Sequence, residues 1–381
     1  MFSVNDAETA CMINIAYIID TIESPTAGTE KQLLMLLEHL DRTRFKPYLC
    51  VLRPSEWLKK EFLACELIDI GITSFAHPAS YLNILKFINF LKTSRINIVQ
   101  TYFVEGNKVG VAAARLAGTQ AVIATRRNQG YWHTRFELVA LRLLNRWVTC
   151  FLANSESTRE WLTHSEGVES NRIKVVYNSL ETERYAPATA DQRTTFRQQW
   201  NFPEDAVVIG VVANLRPIKA LDVFIAAARL VADKVPAARF CIVGDGPERP
   251  TLEALSQTSG LGATLRFLGR RTDIPQLLSC MDIGVLSSHS ESFSNAIVEY
   301  AAAGLAVVCS DVGGAREAVE DGVTGYVVPS GDPNRMAERL ISIIGHQQAG
   351  TMGQRGREKA VRLFACDKIL ASYHTLYEEL V

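Results

Sequence analysis

No stretch of the 381 residues stays apolar for the ~18 positions a membrane-spanning helix needs; residues 301–309 form one of the longest apolar runs and fall well short. The eight cysteines include no C-x-x-C pair, so they read as scattered core thiols of a reducing compartment, not as a disulfide frame or a zinc site. Net charge is nearly absent. The 40 Lys+Arg and 41 Asp+Glu leave −1, which argues against a dedicated nucleic-acid binder. Residues 1–11 carry Asp6 and Glu8 and lack the basic-then-apolar order of a signal peptide. No G-x-G-x-x-G follows the first strand pattern. Val243-Gly244-Asp245-Gly246-Pro247 begins like one, but the third glycine is missing, which weighs against a dinucleotide-dependent dehydrogenase. Nor is there a D-x-D pair to place Mg²⁺. A cytoplasmic protein with no metal and no organic cofactor is the expectation.

What is present is a globular composition, 48% hydrophobic and 21% charged, in a chain long enough for two domains. Short β-branched runs at 13–19, 48–52, 98–101, 121–125 and 150–153 alternate with helical patterns at 30–40, 107–117, 136–147 and 157–162. After a short strand at 173–176 and a polar helix at 191–200, the alternation restarts with a strand at 207–213. It continues through strands at 239–243, 264–268, 283–286, 306–310 and 325–328, with helices at 220–233, 249–258 and 295–303. Asp332-Pro333 opens a further helix, with Asp as N-cap and Pro at N1. The pattern predicts an α/β fold of two Rossmann-like lobes, each a doubly wound parallel sheet. The lobes are assigned to residues 1–185 and 186–365, with a last helix over 366–381 packing back toward the first. Ligands of such sheets sit outside the carboxyl ends of the strands, so the expected active site is the cleft between the lobes.

Charge is uneven. Residues 81–147 hold ten Lys or Arg against Glu105 and Glu137 only, an excess that calls for an anionic partner or a very wet surface. Within that block Leu82, Leu85, Ile88 and Leu91 recur at helical spacing beside Lys86, Lys92 and Arg95. The stripe reads as a core face or as a basic amphipathic helix on anionic lipid. The second reading makes an anionic membrane surface a partner through 81–147, with the protein peripheral on the inner face of a membrane.

The segment 287–332 concentrates chemistry. Glu291 falls in the loop after a strand and Glu299 lies inside the next helix, with Ser292, Ser294 and Asn295 crowding the helix start. A helix N-terminus with free N–H groups suits a diphosphate, and Glu299 suits two vicinal hydroxyls such as those of a ribose. The plain alternative is that Ser and Asn cap the helix and both glutamates are solvated. The strand at 207–213 runs into Asn214-Leu215-Arg216-Pro217-Ile218-Lys219, which brings a forked cation and a point charge to one strand end. Such a pair fits a leaving phosphate whose charge grows as a bond breaks.

These residues resemble the retaining glycosyltransferases of family four, with their two-lobed GT-B fold. Glu291 and Glu299 match the family's E-x7-E signature, and Arg216 and Lys219 its Arg/Lys pair. Asp245-Gly246-Pro247, Val312-Gly313-Gly314 and the segment 329–332 match its flanking landmarks. The resemblance covers residues 12–380 and is more specific in the second lobe. It implies transfer of a sugar from a nucleotide-sugar donor, with UDP favoured, to a glycan or lipid-linked acceptor in polysaccharide or lipopolysaccharide biosynthesis. Configuration would be retained and no metal required.

Carried over, Arg216 and Lys219 hold the leaving diphosphate, Glu291 binds donor-sugar hydroxyls and Glu299 the ribose. The amides of Ser294, Asn295 and Ala296 meet the distal phosphate. Arg271 lies near the base, and Gly28 stands in the family's glycine loop, where Ala27 replaces its partner glycine. Ser292, Ala306 and Ala220 also depart from the usual Gly, Pro and Gly. Where many relatives place a histidine near the transferred sugar, this chain has Arg126-Arg127, then His133. Either His133 serves in that role, or the arginines bind an anionic acceptor, or the loop is merely basic surface. Two further functions fit the same scaffold: a nucleotide-sugar epimerase or hydrolase, and a non-catalytic nucleotide-sugar sensor.

Overall fold

The computed structural model describes residues 12–25, 28–127 and 135–381, and the chain divides into two compact units. The first comprises the described residues up to Asn154, Thr158–Val176 and Leu370–Val381. The second comprises Ser155–Ser157 and Tyr177–Ile369. The main change of unit therefore falls at Val176 and Tyr177, earlier than residue 185.

The first unit runs β1 (Ile13–Ile19), α1 (Gly28–His39), β2 (Phe45–Val51), α2 (Glu56–Glu61), β3 (Glu66–Asp69), α3 (Pro78–Thr93) and β4 (Ile98–Thr101). It continues with α4 (Val104–Ala117), β5 (Ala121–Arg126), α5 (Arg135–Leu144), β6 (Cys150–Ala153), α6 (Glu156–Trp161), which starts in the other unit, and β7 (Ile173–Val175). The sheet is all parallel in the order β3-β2-β1-β4-β5-β6-β7. Helices cover both faces, which is why strands such as Ile-Val-Gln-Thr of β4 are buried throughout and do not alternate with exposed residues. On one face Ala16, Ile18, Val99, Val122 and Phe151 pack with Phe87, Ile88 and Leu91 of α3 and Val109 and Ala113 of α4.

The second unit holds α7 (Ala190–Gln199), β8 (Val207–Val212), α8 (Leu221–Lys234), β9 (Ala238–Val243), α9 (Arg249–Thr258), β10 (Leu265–Gly269), α10 (Ile274–Ser279) and β11 (Ile283–Leu286). Then come α11 (Asn295–Ala302), β12 (Ala306–Ser310), α12 (Ala315–Ala318), β13 (Gly325–Val328), α13 (Pro333–Gly345) and α14 (Ala349–Phe364). Its parallel sheet is ordered β10-β9-β8-β11-β12-β13. Asp332 caps α13 as expected, its Oδ1 accepting from Arg335 N at 3.0 Å with Pro333 at the first position. The last helix, α15 (Cys366–Glu379), returns its final residues to the first unit. There Tyr377 Oη donates to Gln100 Oε1 at 2.7 Å and accepts from Tyr17 at 3.1 Å, with Phe45 edge-on at 5.7 Å. The alternate residues of β1 and β4 thus face α15, opposite the α3–α4 layer.

The structure departs from the sequence reading in three places. The edge strand β3 has polar ends, Glu66 and Asp69, and no apolar run to announce it. α14 contains Gly353 and Gly356, which count against a helix; a Cβ on Gly353 would stand 1.8 Å from Gly304 O, so close packing requires that glycine. On α3 the stripe splits: Ile88 and Leu91 are core, while Leu82 and Leu85 are exposed.

Arg126, assigned as an acceptor-side cation, is buried and paired. Its side chain is buried at the end of β5, where Nε donates to Glu166 Oε1 at 2.8 Å and Nη2 to Oε2 at 3.0 Å. Asn107 Oδ1 accepts from Nη1 at 3.0 Å, and Asn145 Nδ2 donates to Glu166 at 2.8 Å. The guanidinium is held by the unit's own interior, and Arg126 also lines a cavity at the end of this sheet. Removing one partner of a buried pair strands the other charge, so Arg126→Ala is expected to lose about 3–5 kcal/mol of stability in urea unfolding. Tyr377→Phe, which leaves Gln100 without its donor, is expected to lose about 1–3 kcal/mol in the same measurement.

Candidate functional site

Both sheets change winding direction once, between β1 and β4 and between β8 and β11. At such a point adjacent loops leave in opposite directions and open a crevice at the strand ends. In the second unit the loop after β8 carries Arg216 and Lys219, and the loop after β11 carries Glu291. Lys219 Nζ lies 2.6 Å from Glu291 Oε1, which also accepts from Ser288 Oγ at 2.8 Å. Backbone stitches align the loops: Ser287 Oγ donates to Lys219 O at 2.9 Å and His289 N to Ile218 O at 2.9 Å. His289 itself is exposed, with Nδ1 3.4 Å from Ser330 Oγ. The Arg216 side chain is exposed and makes no hydrogen bond or ion pair to any described residue, while its backbone N donates to Asn214 O at 2.8 Å and its carbonyl accepts from Lys219 N at 2.9 Å. One cation is held ready in a part-buried pair, and a second stands open beside it.

The flanking glycines have steric reasons. A Cβ on Gly246 would lie 2.5 Å from Leu215 O, and one on Gly313, at φ 49°, would lie 2.0 Å from Glu291 O. The Asp-Gly-Pro turn therefore backs the Arg216 loop, and the Gly-Gly turn backs Glu291. After Lys219 the chain enters the left-handed region at Ala220, φ 46° and ψ 48°. For a residue with a Cβ this costs about 1–2 kcal/mol, and it fixes the lysine's exit from the turn.

Ser294 is the N-cap of α11, and its side chain makes no capping hydrogen bond. The first amides of the helix have no intrahelical partner. Asn295 Oδ1 accepts from Asn178 Nδ2, and Ala296 follows in the same turn. Glu299, one turn in, is buried and accepts a hydrogen bond from the Tyr185 hydroxyl; burial and that carboxylate's charge push the tyrosine's pKa up. Arg271 lies in the loop between β10 and α10. Its fork is bidentate on Asp273 at 2.8 and 2.6 Å and lies over the Trp200 ring, so the expected base-side cation already has a counter-ion two residues away.

In the first unit a cavity of about 440 Å³ opens at the ends of β1, β2, β4 and β5. Asp20, Arg53, Tyr102, Glu105, Lys108 and Arg127 are among the residues that line it. Asp20 accepts from Gly106 N at 2.6 Å, and burial, only partly offset by that bond, pushes its carboxyl up to about 6. Arg53 Nη2 donates to Glu105 at 3.1 Å. Phe103, the N-cap of α4, is held at φ 55° and ψ 176°, a conformation nearly confined to glycine, and it also lines the cavity. The sequence reading passed over Asp20. Its place, first after a strand at a winding reversal, was the available signal. Gly28 opens α1; His133 lies outside the described residues.

Two family models match the chain: "Glycosyltransferase Family 4" over residues 26–184 and "Glycosyl transferases group 1" over 192–359. The chain is 26% identical over 377 residues to the UDP-Gal:alpha-D-GlcNAc-diphosphoundecaprenol alpha-1,3-galactosyltransferase of Escherichia coli, covering 92% of this chain and 96% of that one. It is 28% identical over 221 residues to the N-acetyl-alpha-D-glucosaminyl L-malate synthase of Bacillus anthracis, a match that spans 58% of this chain and 57% of the relative. Among solved structures, Anabaena HepE in complex with UDP superposes with a TM-score of 0.84 at 23% identity, over 96% of this chain and all of the other. That likeness shows the fold. With the two models together spanning most of the sequence, the chain belongs to the family-four glycosyltransferases, on the GT-B fold of two Rossmann-like lobes.

Proposed function

We propose that the protein is a retaining, metal-independent glycosyltransferase that moves a sugar from a UDP-sugar to a glycan or lipid-linked acceptor in polysaccharide biosynthesis. The observation that carries the reading is the Lys219–Glu291 contact at the β8/β11 reversal, with an unpaired Arg216 and the start of α11 beside it. In the reaction the bond between the anomeric carbon and the phosphate oxygen breaks, and its electron pair stays on the diphosphate. Arg216 and Lys219 neutralise that growing charge. The acceptor hydroxyl adds to the same face and passes its proton to the departing phosphate oxygen, so no protein nucleophile is needed. Glu291 holds sugar hydroxyls and Glu299 the ribose. UDP is supported by the HepE complexes with UDP and UDP-glucose, and a lipid-linked acceptor by the Escherichia coli relative's name.

The first unit's cavity suits the acceptor. Its volume is that of a small-ligand site, and it mixes carboxylates, cations and aromatic rings, as a polyhydroxylated ring requires.

Arg216→Ala, Lys219→Ala and Glu291→Ala are each expected to lower acceptor-dependent UDP release by at least ~10²-fold, the scale of losing one electrostatic stabiliser. Rates within a few-fold of wild type for all three would remove the assignment, and a rate abolished by EDTA would remove metal independence. Asp20 supplies a pH test. Its folded-state pKa lies above the ordinary 3.8, so its contribution to stability falls as pH rises through that value to about 6 and is constant beyond. Asp20→Asn keeps an oxygen for Gly106 N–H and lacks that loss. Its Tm relative to wild type should climb through the same window and then level off; a difference flat across the window would contradict the buried carboxyl.

A further inference from the structure

We propose that the α3–α4–α5 face of the first unit is a docking surface for an anionic lipid membrane. α4 packs on both α3 and α5, α3 and α4 cover one side of the sheet, and the right-handed crossover from β5 to β6 puts α5 on that side too. A surface helix ordinarily turns its apolar side inward and its polar side to water. Here the inward side of α3 is filled by Phe87, Ile88 and Leu91, yet the outward side again carries Tyr81, Leu82 and Leu85, interleaved with Lys86 and Lys92. From α5 into the following turn, Val139, Arg142, Leu143, Arg146 and Trp147 recur at i, i+3, i+4, i+7 and i+8, and all are exposed. The last turn of α4 adds Arg115 and Leu116.

Among the described residues, the seven exposed large apolar or aromatic side chains on this layer are 48–66% exposed. Among the described residues the second unit exposes only Leu230 and Val361 in that class, at 37% and 42%. The first unit also exposes Met12, Leu63, Phe75 and Val381 outside these helices, and only on this layer do the exposed apolar residues coincide with the chain's strongly basic block.

Charge decides the occupant. α3 contains no acidic residue, and among the described residues the exposed cations of the layer are Lys86, Lys92, Arg115, Arg142 and Arg146, with Arg95 just past α3. Arg142 donates to the Ser165 carbonyl, which leaves its charge uncompensated. A second copy of the chain would bring the same cations against one another. A protein partner's interface core is ordinarily depleted of lysine. Anionic headgroups satisfy both components: Lys and Arg reach the phosphates while Tyr, Trp and Leu enter the interface, the arrangement of a helix lying on a bilayer. No helix among the described residues is long and apolar enough to cross one. The surface brings the protein to a lipid-linked substrate, but it stands on its own observations and not on the transferase reading.

The test is co-sedimentation, without any donor, with vesicles of equimolar phosphatidylglycerol and phosphatidylcholine and with vesicles of phosphatidylcholine alone. The full chain should partition to the anionic vesicles and be released by salt. Lys86→Glu with Arg142→Glu should weaken partitioning by at least roughly tenfold, since each basic residue near the surface contributes several-fold. Leu82→Ser with Leu85→Ser should weaken it while leaving its salt dependence. Leu230→Ser with Val361→Ser, on the other unit, should change nothing. All six positions are exposed, and unchanged thermal unfolding will show that the variants fold. Equal sedimentation with both vesicles, or no loss in either α3 variant, would overturn the proposal. So would self-association abolished by the leucine changes in a protein that ignores vesicles. Since no sugar is transferred in this assay, its failure and that of the transferase assay are read separately.

Discussion

A parallel sheet built outward from its middle must reverse its winding once, and at that place no crossover helix can cover the strand ends. The chemistry-bearing residues of both units are tied to that constraint. In one unit the reversal separates β1 from β4, and Asp20, Tyr102 and Phe103 follow directly on those strands. In the other it separates β8 from β11, and Lys219 and Glu291, far apart in sequence, meet at 2.6 Å. The unit supplies the crevice by topology; sequence has only to fill its rim.

Filling the rim demands that loops approach closely, and this explains why the family landmarks are glycines beside charges. Gly246 and Gly313 lie against the backbone of Leu215 and Glu291, where any Cβ would overlap a carbonyl. The charged residues of the site are thus positioned from behind by contacts with no side chain in them. Ala220 is the exception, keeping a Cβ in left-handed backbone directly after Lys219. The two cations are prepared unequally. Lys219 shares Glu291 with Ser288, which holds it in place and desolvates it in part, while Arg216 remains open to water. In the proposed reaction a diphosphate would meet one charge already oriented and one able to close on it.

Strands and most helices were legible because buried parallel strands are unbroken apolar runs, a signal that survives without tertiary knowledge. Arg216, Lys219 and Glu291 stand out in the sequence because they follow strands, and Glu299 because it lies in the helix that comes next. The burial of Arg126 does not show there. A cation after a strand looks the same whether it faces solvent or a buried carboxylate, and its partner Glu166 lies forty residues on, in a turn with no motif. The pairing of Arg271 is hidden for a similar reason, since Asp273 reads as a loop acid until its geometry is seen. Asp20 was missed because one carboxylate carries no spacing.

The apolar periodicity of α3 exposes a further limit with a physical origin. Period 3.6 reports that a side of a helix is apolar, and says nothing of what covers it. Leu82, Leu85, Ile88 and Leu91 count as one stripe by spacing, yet helical drift carries the first pair around to the outer side while the second pair stays on the sheet. Charge cannot separate the halves either, because Lys86 and Lys92 lie along the outer flank of both. Only packing against α4 decides, by consuming one side of the helix and leaving the other to water. Leu82 and Leu85 are thus left facing water while Ile88 and Leu91 fill the core.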